Sequence, residues 1–277
     1  MSNIFNSMCI IRVFFFGVFS IVLLCSLIQK AQAQEGNPDR DKPLEITADG
    51  SLEWHRNDLF FFAQDKVRAK QGETVLHCEE LIARYRDSDQ SNIDIYEIDA
   101  SGDVRIISAD SQVYGDEASY NIDRGLVRLT GQNLRLISQD HEVRARDAFV
   151  YRVADGRLEA IGEAVLKRDG DTIKGDKLVA TFSQGQNGER ELDTFMAVGN
   201  VVIRTPDEVL TGARGHYNAQ TRVAELTDNV RIMRGDSFIE GERAQVNLDT
   251  NISQIFGKRE QDGGSSDPGR VRAVFFP

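Results

Sequence analysis

The chain has 277 residues, of which 33 are basic and 44 acidic, giving a formal net charge of −11 at neutral pH. That balance excludes a nucleic-acid binder, because the partner's phosphates would be repelled, and it opposes simple docking on anionic lipid. The length suffices for a packed core without disulfide staples.

Arg12 is followed by an apolar stretch from Val13 to Ile28, and Ala31-Gln32-Ala33 matches the small-x-small pattern of an export cleavage site. Residues 1–33 therefore read as a signal peptide, and the exported chain starts at Gln34. The apolar run is nearly long enough to span a bilayer, so an uncleaved single-span anchor is the alternative. Cys25 follows Leu23-Leu24 rather than small residues, which argues against lipidation. Cleavage removes Arg12 and Lys30 and no acid, leaving 31 basic and 44 acidic residues, a net charge of −13. Cys9 and Cys25 leave with the signal. Cys78 then has no intrachain partner, and it reads as a small core residue rather than a reactive thiol. Residues 34–43 read as a polar, mobile leader.

From Leu44 onward a short phrase returns, in which Gly, Asp or Asn precedes an apolar strand start. Its apolar positions are Val67, Val104, Leu134, Val165, Val201 and Val230, spaced 37, 30, 31, 36 and 29 residues apart. Self-similarity at such a period marks a repeat array whose units bury their apolar faces by stacking. Period-2 alternation follows each start, as in Val104-Arg-Ile106, Leu134-Arg-Leu136 and Val230-Arg-Ile232. A second element ends in an aromatic (Gly115-Asp-Glu-Ala-Ser-Tyr120, Gly212-Ala-Arg-Gly-His-Tyr217), and a third strand closes the unit (Gly125–Thr130, Arg222–Thr227). Short strands with Gly, Asn and Asp between them and no long helical pattern predict an all-β protein of two facing antiparallel sheets. Residues 258–270 read as a flexible linker, and 271–277 as a C-terminal strand that pairs within its own chain or with a second copy.

Catalytic patterns are sparse. The four His residues, at 55, 77, 141 and 216, show no metal-ligand spacing, and neither a nucleophile elbow nor a P-loop occurs. A paired-carboxylate enzyme acting on polysaccharide stays open as a rival, although the acids fall in turns and on outward strand positions. Arg68, Arg105, Arg135 and Arg231 recur beside the apolar starts. They fit a solvated cross-strand charge ladder or, alternatively, a stripe that meets phosphate. Trp54 with Phe60-Phe61-Phe62 fits either core or the mouth of an apolar groove.

An apolar signal, then Leu44-Glu-Ile-Thr-Ala-Asp-Gly50, then blocks such as Ala100-Ser-Gly-Asp-Val-Arg-Ile106 and Ala197-Val-Gly-Asn-Val-Val-Ile203 together resemble the OstA-like family of lipopolysaccharide-transport proteins. The resemblance covers about residues 44–257. It implies a twisted antiparallel β-jelly roll, solenoid-like and open along one side, that holds the acyl chains of lipid A in the periplasm. It further implies a bridge that carries lipopolysaccharide between the membranes, with no enzymatic activity and no cofactor. The implied partners are lipopolysaccharide, same-fold components at the inner and outer membranes, and further copies stacked head to tail. A single-span, inner-membrane-anchored member of the same system is the nearest alternative. Expected lining residues, taken from the alternation, are Val104, Ile106, Leu134, Leu136, Val165, Val201, Ile203, Val230 and Ile232, with Phe60 and Phe62 near one mouth.

Overall fold

The computed structural model describes residues 42–87, 93–139, 141–184, 190–250, 252–258 and 269–276, and the regular elements among them are all strands. The expected signal peptide, most of the leader and most of the linker lie outside the described residues. In chain order the strands are β1 (Leu44–Thr47), β2 (Ser51–His55), β3 (Phe60–Gln71), β4 (Thr74–Asp87), β5 (Ile93–Ile107) and β6 (Ser111–Asn121). Next come β7 (Leu126–Thr130), β8 (Leu134–Ser138), β9 (His141–Ala145), β10 (Ala148–Arg152), β11 (Arg157–Arg168) and β12 (Asp171–Gln184). The last are β13 (Arg190–Arg204), β14 (Val209–Asn218), β15 (Val223–Arg234), β16 (Ser237–Asn247), β17 (Ile252–Phe256) and β18 (Arg272–Val274). Two compact units result: a first of Gly36–Arg168 with Lys177–Glu191, and a second that holds Asp169–Asp176 with Leu192–Pro277.

The returning phrase bends strands rather than starting them. In β3, pairing with β4 runs to Gln64–Glu80 and resumes at Val67–Cys78, so two residues oppose one. Those two, Asp65 and Lys66, both lie in the left-handed region, at φ 67° and 48°. The same pair recurs as Gly102-Asp103 in β5, Gly162-Glu163 in β11, Gly199-Asn200 in β13 and Asp228-Asn229 in β15. Gly, Asn and Asp tolerate this conformation best, which explains the phrase's composition. Such a bulge kinks the strand and adds twist. Strands of 12 to 15 residues thus become two arms joined at a bend. At Gly131 the chain goes further and breaks into β7 and β8, with Gln132 N–H donating to Asp116 Oδ2 at 2.8 Å.

The bends repeat at a fixed offset. Gly162 follows Asp65 by 97 residues (162 less 65), and Gly199 follows Gly102 by 97 (199 less 102). Hydrogen bonds repeat with them: Asp49 N–H donates to Asp65 O at 2.9 Å, and Arg146 N–H to Gly162 O at 2.7 Å. This register corrects one expectation. The residue after the pair Gly162-Glu163 is Ala164, fully buried, and not Val165, which is half-buried and opposite Arg144.

Each bend packs small against large. Val104 faces Gly115 across the ladder, Val201 faces Gly212, Val230 faces Gly241 and Val67 faces Cys78. A methyl on Gly115 would lie 2.8 Å from Leu129 Cγ, and one on Gly212 2.9 Å from Leu226 Cγ. The missing side chain is the space the neighbouring leucine fills. At the other end, β17 and β18 both pair with β16, so the C-terminal strand pairs within its own chain.

Candidate functional site

Alternate residues of a strand share a face, and printed register carries that face from strand to strand. In the first unit the face with the bends' buried residues also carries a row one step nearer the hairpins. It runs Ile46, Ala69, Leu76, Ile106, Val113, Leu136, Val143 and Leu166, each opposite the next. All eight are apolar. At the bend Val67, Val104, Leu134 and Ala164 are sealed from solvent, whereas Ile106, Val113, Leu136 and Val143 are only half-buried. The second unit has the same gradient: Val201 and Val230 are sealed, and the row Ile203, Leu210, Ile232, Ile239 is half-open.

Eight expected lining residues therefore share this inner face: Val104, Ile106, Leu134 and Leu136 in the first unit, and Val201, Ile203, Val230 and Ile232 in the second. Three do not. Phe60 faces Arg84 and Phe62 faces Ile82 on the outer face, while Val165 stands in line with Arg144. Sealed Val67 and Ala63 lie four residues apart, so alternation carried back along β3 turns Phe61 inward and Phe60 and Phe62 outward, and in β11 it starts one residue before Val165, at Ala164. Phe61 is the inner-face ring. It stacks between Trp54 and Tyr85, with centroids 5.4 and 5.2 Å away, and Trp54 Nε1–H donates to Tyr85 Oη at 2.8 Å. Leu52 and Trp54, on the same face of β2, remain 55% and 48% exposed. This is exposed apolar surface at a strand edge. Leu76, Val113 and Val143 escaped the sequence reading because they belong to strands that carry no phrase.

Other chemistry is thin. Cys78 is buried at a bend, and burial, with Glu79 adding, pushes its thiol up to about 12. Among the described residues no His, Cys, Asp and Glu cluster could hold a metal ion. A depression of about 330 Å³ lies on the outer face beside Glu80, Asp99, Glu117 and Arg128. Glu159, also outward, is buried beneath cations, with Lys177 Nζ at 2.6 Å, Arg157 Nε at 2.7 Å and Arg152 at 3.3 Å. Burial alone would raise its pKa, but Lys177 and Arg157 bring it down to about 2. Of the recurring arginines, Arg231 is laddered to Glu240 at 3.0 Å, and Arg135 lies over the Tyr114 ring at 4.6 Å.

Bent antiparallel strands with a graded apolar inner face define an all-β jelly-roll fold. The chain belongs to the family described as LptA/(LptD N-terminal domain) LPS transport protein, which matches residues 45–155 and again 142–252. The two matches are offset by 97 residues (142 less 45), the spacing of the bends. Among solved structures, the chain is similar to LptH, the LptA homologous periplasmic component of the conserved lipopolysaccharide transport device from Pseudomonas aeruginosa. Identity is 19%, over 50% of this chain and 96% of that one, with a TM-score of 0.40. No curated protein matches the chain.

Proposed function

We propose that this protein is a periplasmic bridge that binds lipopolysaccharide and carries it from the inner to the outer membrane, the acyl chains lying along the inner apolar rows. The observation that carries the reading is the gradient on that face. Val104 and Val201 hold each bend shut, while Ile106, Leu136 and Ile203, two residues further along, offer half-open aliphatic surface. Each methylene moved from water onto such a surface gains up to about 0.8 kcal/mol. A shallow row without a closed pocket gives many weak, equivalent sites, which suits a cargo that must keep moving.

Head-to-tail stacking belongs to the same reading. Among the described residues β1 and β2 pair with β3 alone, so they present a free edge. One repeat later β9 and β10 hold the same place beside β11, and there β8 and β7 occupy the other edge. The chain thus contains a precedent for filling a β1/β2-type edge with a further strand pair. Partners of the same fold at either membrane would use these edges, and export with loss of residues 1–33 would deliver the chain to the periplasm.

A photocrosslinking residue placed at Ile106, Leu136 or Ile203 should capture lipopolysaccharide in cells, and one at outward Phe62 should not. Equal capture at inner and outer positions, or none at the inner ones in folded protein, overturns the reading.

A further inference from the structure

On the outer face of the first unit four arginines and a histidine fall on one register line. Arg68 faces His77, His77 faces Arg105, Arg105 faces Tyr114, Tyr114 faces Arg135, and Arg135 faces Arg144. Five strand steps make the line about 24 Å long. Arg135 and Arg144 form a directly opposed like-charge pair, which destabilises a sheet, while Tyr114 and His77, its pKa lowered by burial and by Arg105 and Arg68, separate the other arginines. Arg144 is neutralised by Glu142 at 2.8 Å. Among the described residues, Arg68 and Arg105 have no carboxylate within ion-pair distance.

One repeat later Lys174 stands for His77 and Arg231 for Arg135, but the other three arginines are gone. Arg68 gives way to Val165 and Arg105 to Val202, both 97 residues on, and Arg144 to Glu240, 96 residues on (240 less 144). Glu240 neutralises Arg231. The architecture therefore does not need the row. Beside it, two residues nearer the hairpins, half-buried Val75, Ile107 and Ile137 lie on the same outer face, with exposed Gln112 between the last two.

We propose that this outer row docks on the phosphate plane of an anionic phospholipid leaflet. Guanidinium forks match phosphate oxygens in planar, bidentate geometry. A line of about 24 Å exceeds what one phosphate can use and fits a partner that carries many in a plane. The three aliphatic residues about 7 Å away match the step from headgroup towards acyl chain. The chain's net negative charge opposes approach in every other orientation, so the contact is short-ranged and presents this arm alone. The docking uses the face opposite the apolar rows, and its failure leaves the transport reading untouched.

The test is flotation of the processed protein with vesicles of phosphatidylcholine, alone or doped with phosphatidylglycerol. Recovery is expected on the doped vesicles only. The triple variant Arg68→Gln, Arg105→Gln, Arg135→Gln should weaken it about a hundredfold, and Arg231→Gln should leave it unchanged. The triple variant should melt close to the parent, since it ends the Arg135–Arg144 opposition and gives up only the Arg135–Tyr114 contact, and millimolar inorganic phosphate should fail to displace the vesicles. Equal recovery on neutral vesicles, no recovery on doped ones, an unaffected triple variant, or displacement by free phosphate each overturns the proposal.

Discussion

The bends and the half-open rows lie two residues apart on the same strands, yet they do different work. At the bend, Val104 and Val201 sit against glycines in space that a single leucine completes. Two positions on, Ile106 and Ile203 have the same chemistry and only half the cover. Shape makes the difference, since the left-handed pair turns the strand and closes the first residue behind it. One short motif thus both folds the chain and leaves a greasy face unfilled.

The largest effect should come from placing a charge on each side of that divide. Val104→Asp buries a carboxylate without a partner and should cost roughly 4 kcal/mol or more, read as a fall in the urea midpoint. Ile106→Asp should cost about 1–2 kcal/mol and keep the fold, while lipopolysaccharide no longer co-purifies. Equal unfolding by both variants would erase the distinction between bend and row.

Glu159 seals a third environment, an outward position closed by charge rather than by apolar packing. Replacing it with Gln leaves Lys177, Arg157 and Arg152 crowded without their anion and should cost about 3 kcal/mol. Its carboxyl is held near 2, below the ordinary 4.5. Its contribution is therefore complete above pH 4.5 and is lost as the pH falls towards 2. Thermal melts of the parent and of Glu159→Gln should converge over that range; a constant gap down to pH 2 would contradict the assignment.

Gly115→Ala probes the bend more gently. Its new methyl meets Leu129 Cγ at 2.8 Å, which should cost about 1–3 kcal/mol. Gly235, left-handed where Gly115 is not and with open space around it, separates backbone strain from crowding when changed in the same way. If the two variants lose equal stability, the bend has no packing role.

The strands were legible because alternation and turn residues are local properties. The spacing of Val67, Val104 and Leu134 also named the right residues, although the phrase read as a strand start when it is a bulge within one. What a single chain hides is how many residues the bulge absorbs. That count moved the sealed position from Val165 to Ala164. An alanine after Gly162-Glu163 looks neutral until the fold shows it fully buried beside the left-handed pair. The arginines were visible singly. Their alignment was not, because Arg68, Arg105 and Arg144 come into line only through strands folded between them.

The smallest perturbation compares the two positions by reactivity. Cys78 lies at a bend with its thiol near 12, so at pH 8 almost none is thiolate, and the buried sulfur is closed to reagent as well. A cysteine introduced by Ile106→Cys, in a Cys78→Ala background, stands on the half-open row with an ordinary thiol. Alkylation in folded protein should be roughly a thousandfold faster at the second site, most of it from the thiolate fraction and the rest from access. Raising the pH should narrow the gap only as far as ionisation accounts for it, and the residue left at high pH measures how tightly the bend is closed. Comparable rates at pH 8 would mean that Gly, Asn and Asp bend these strands without sealing what lies behind them.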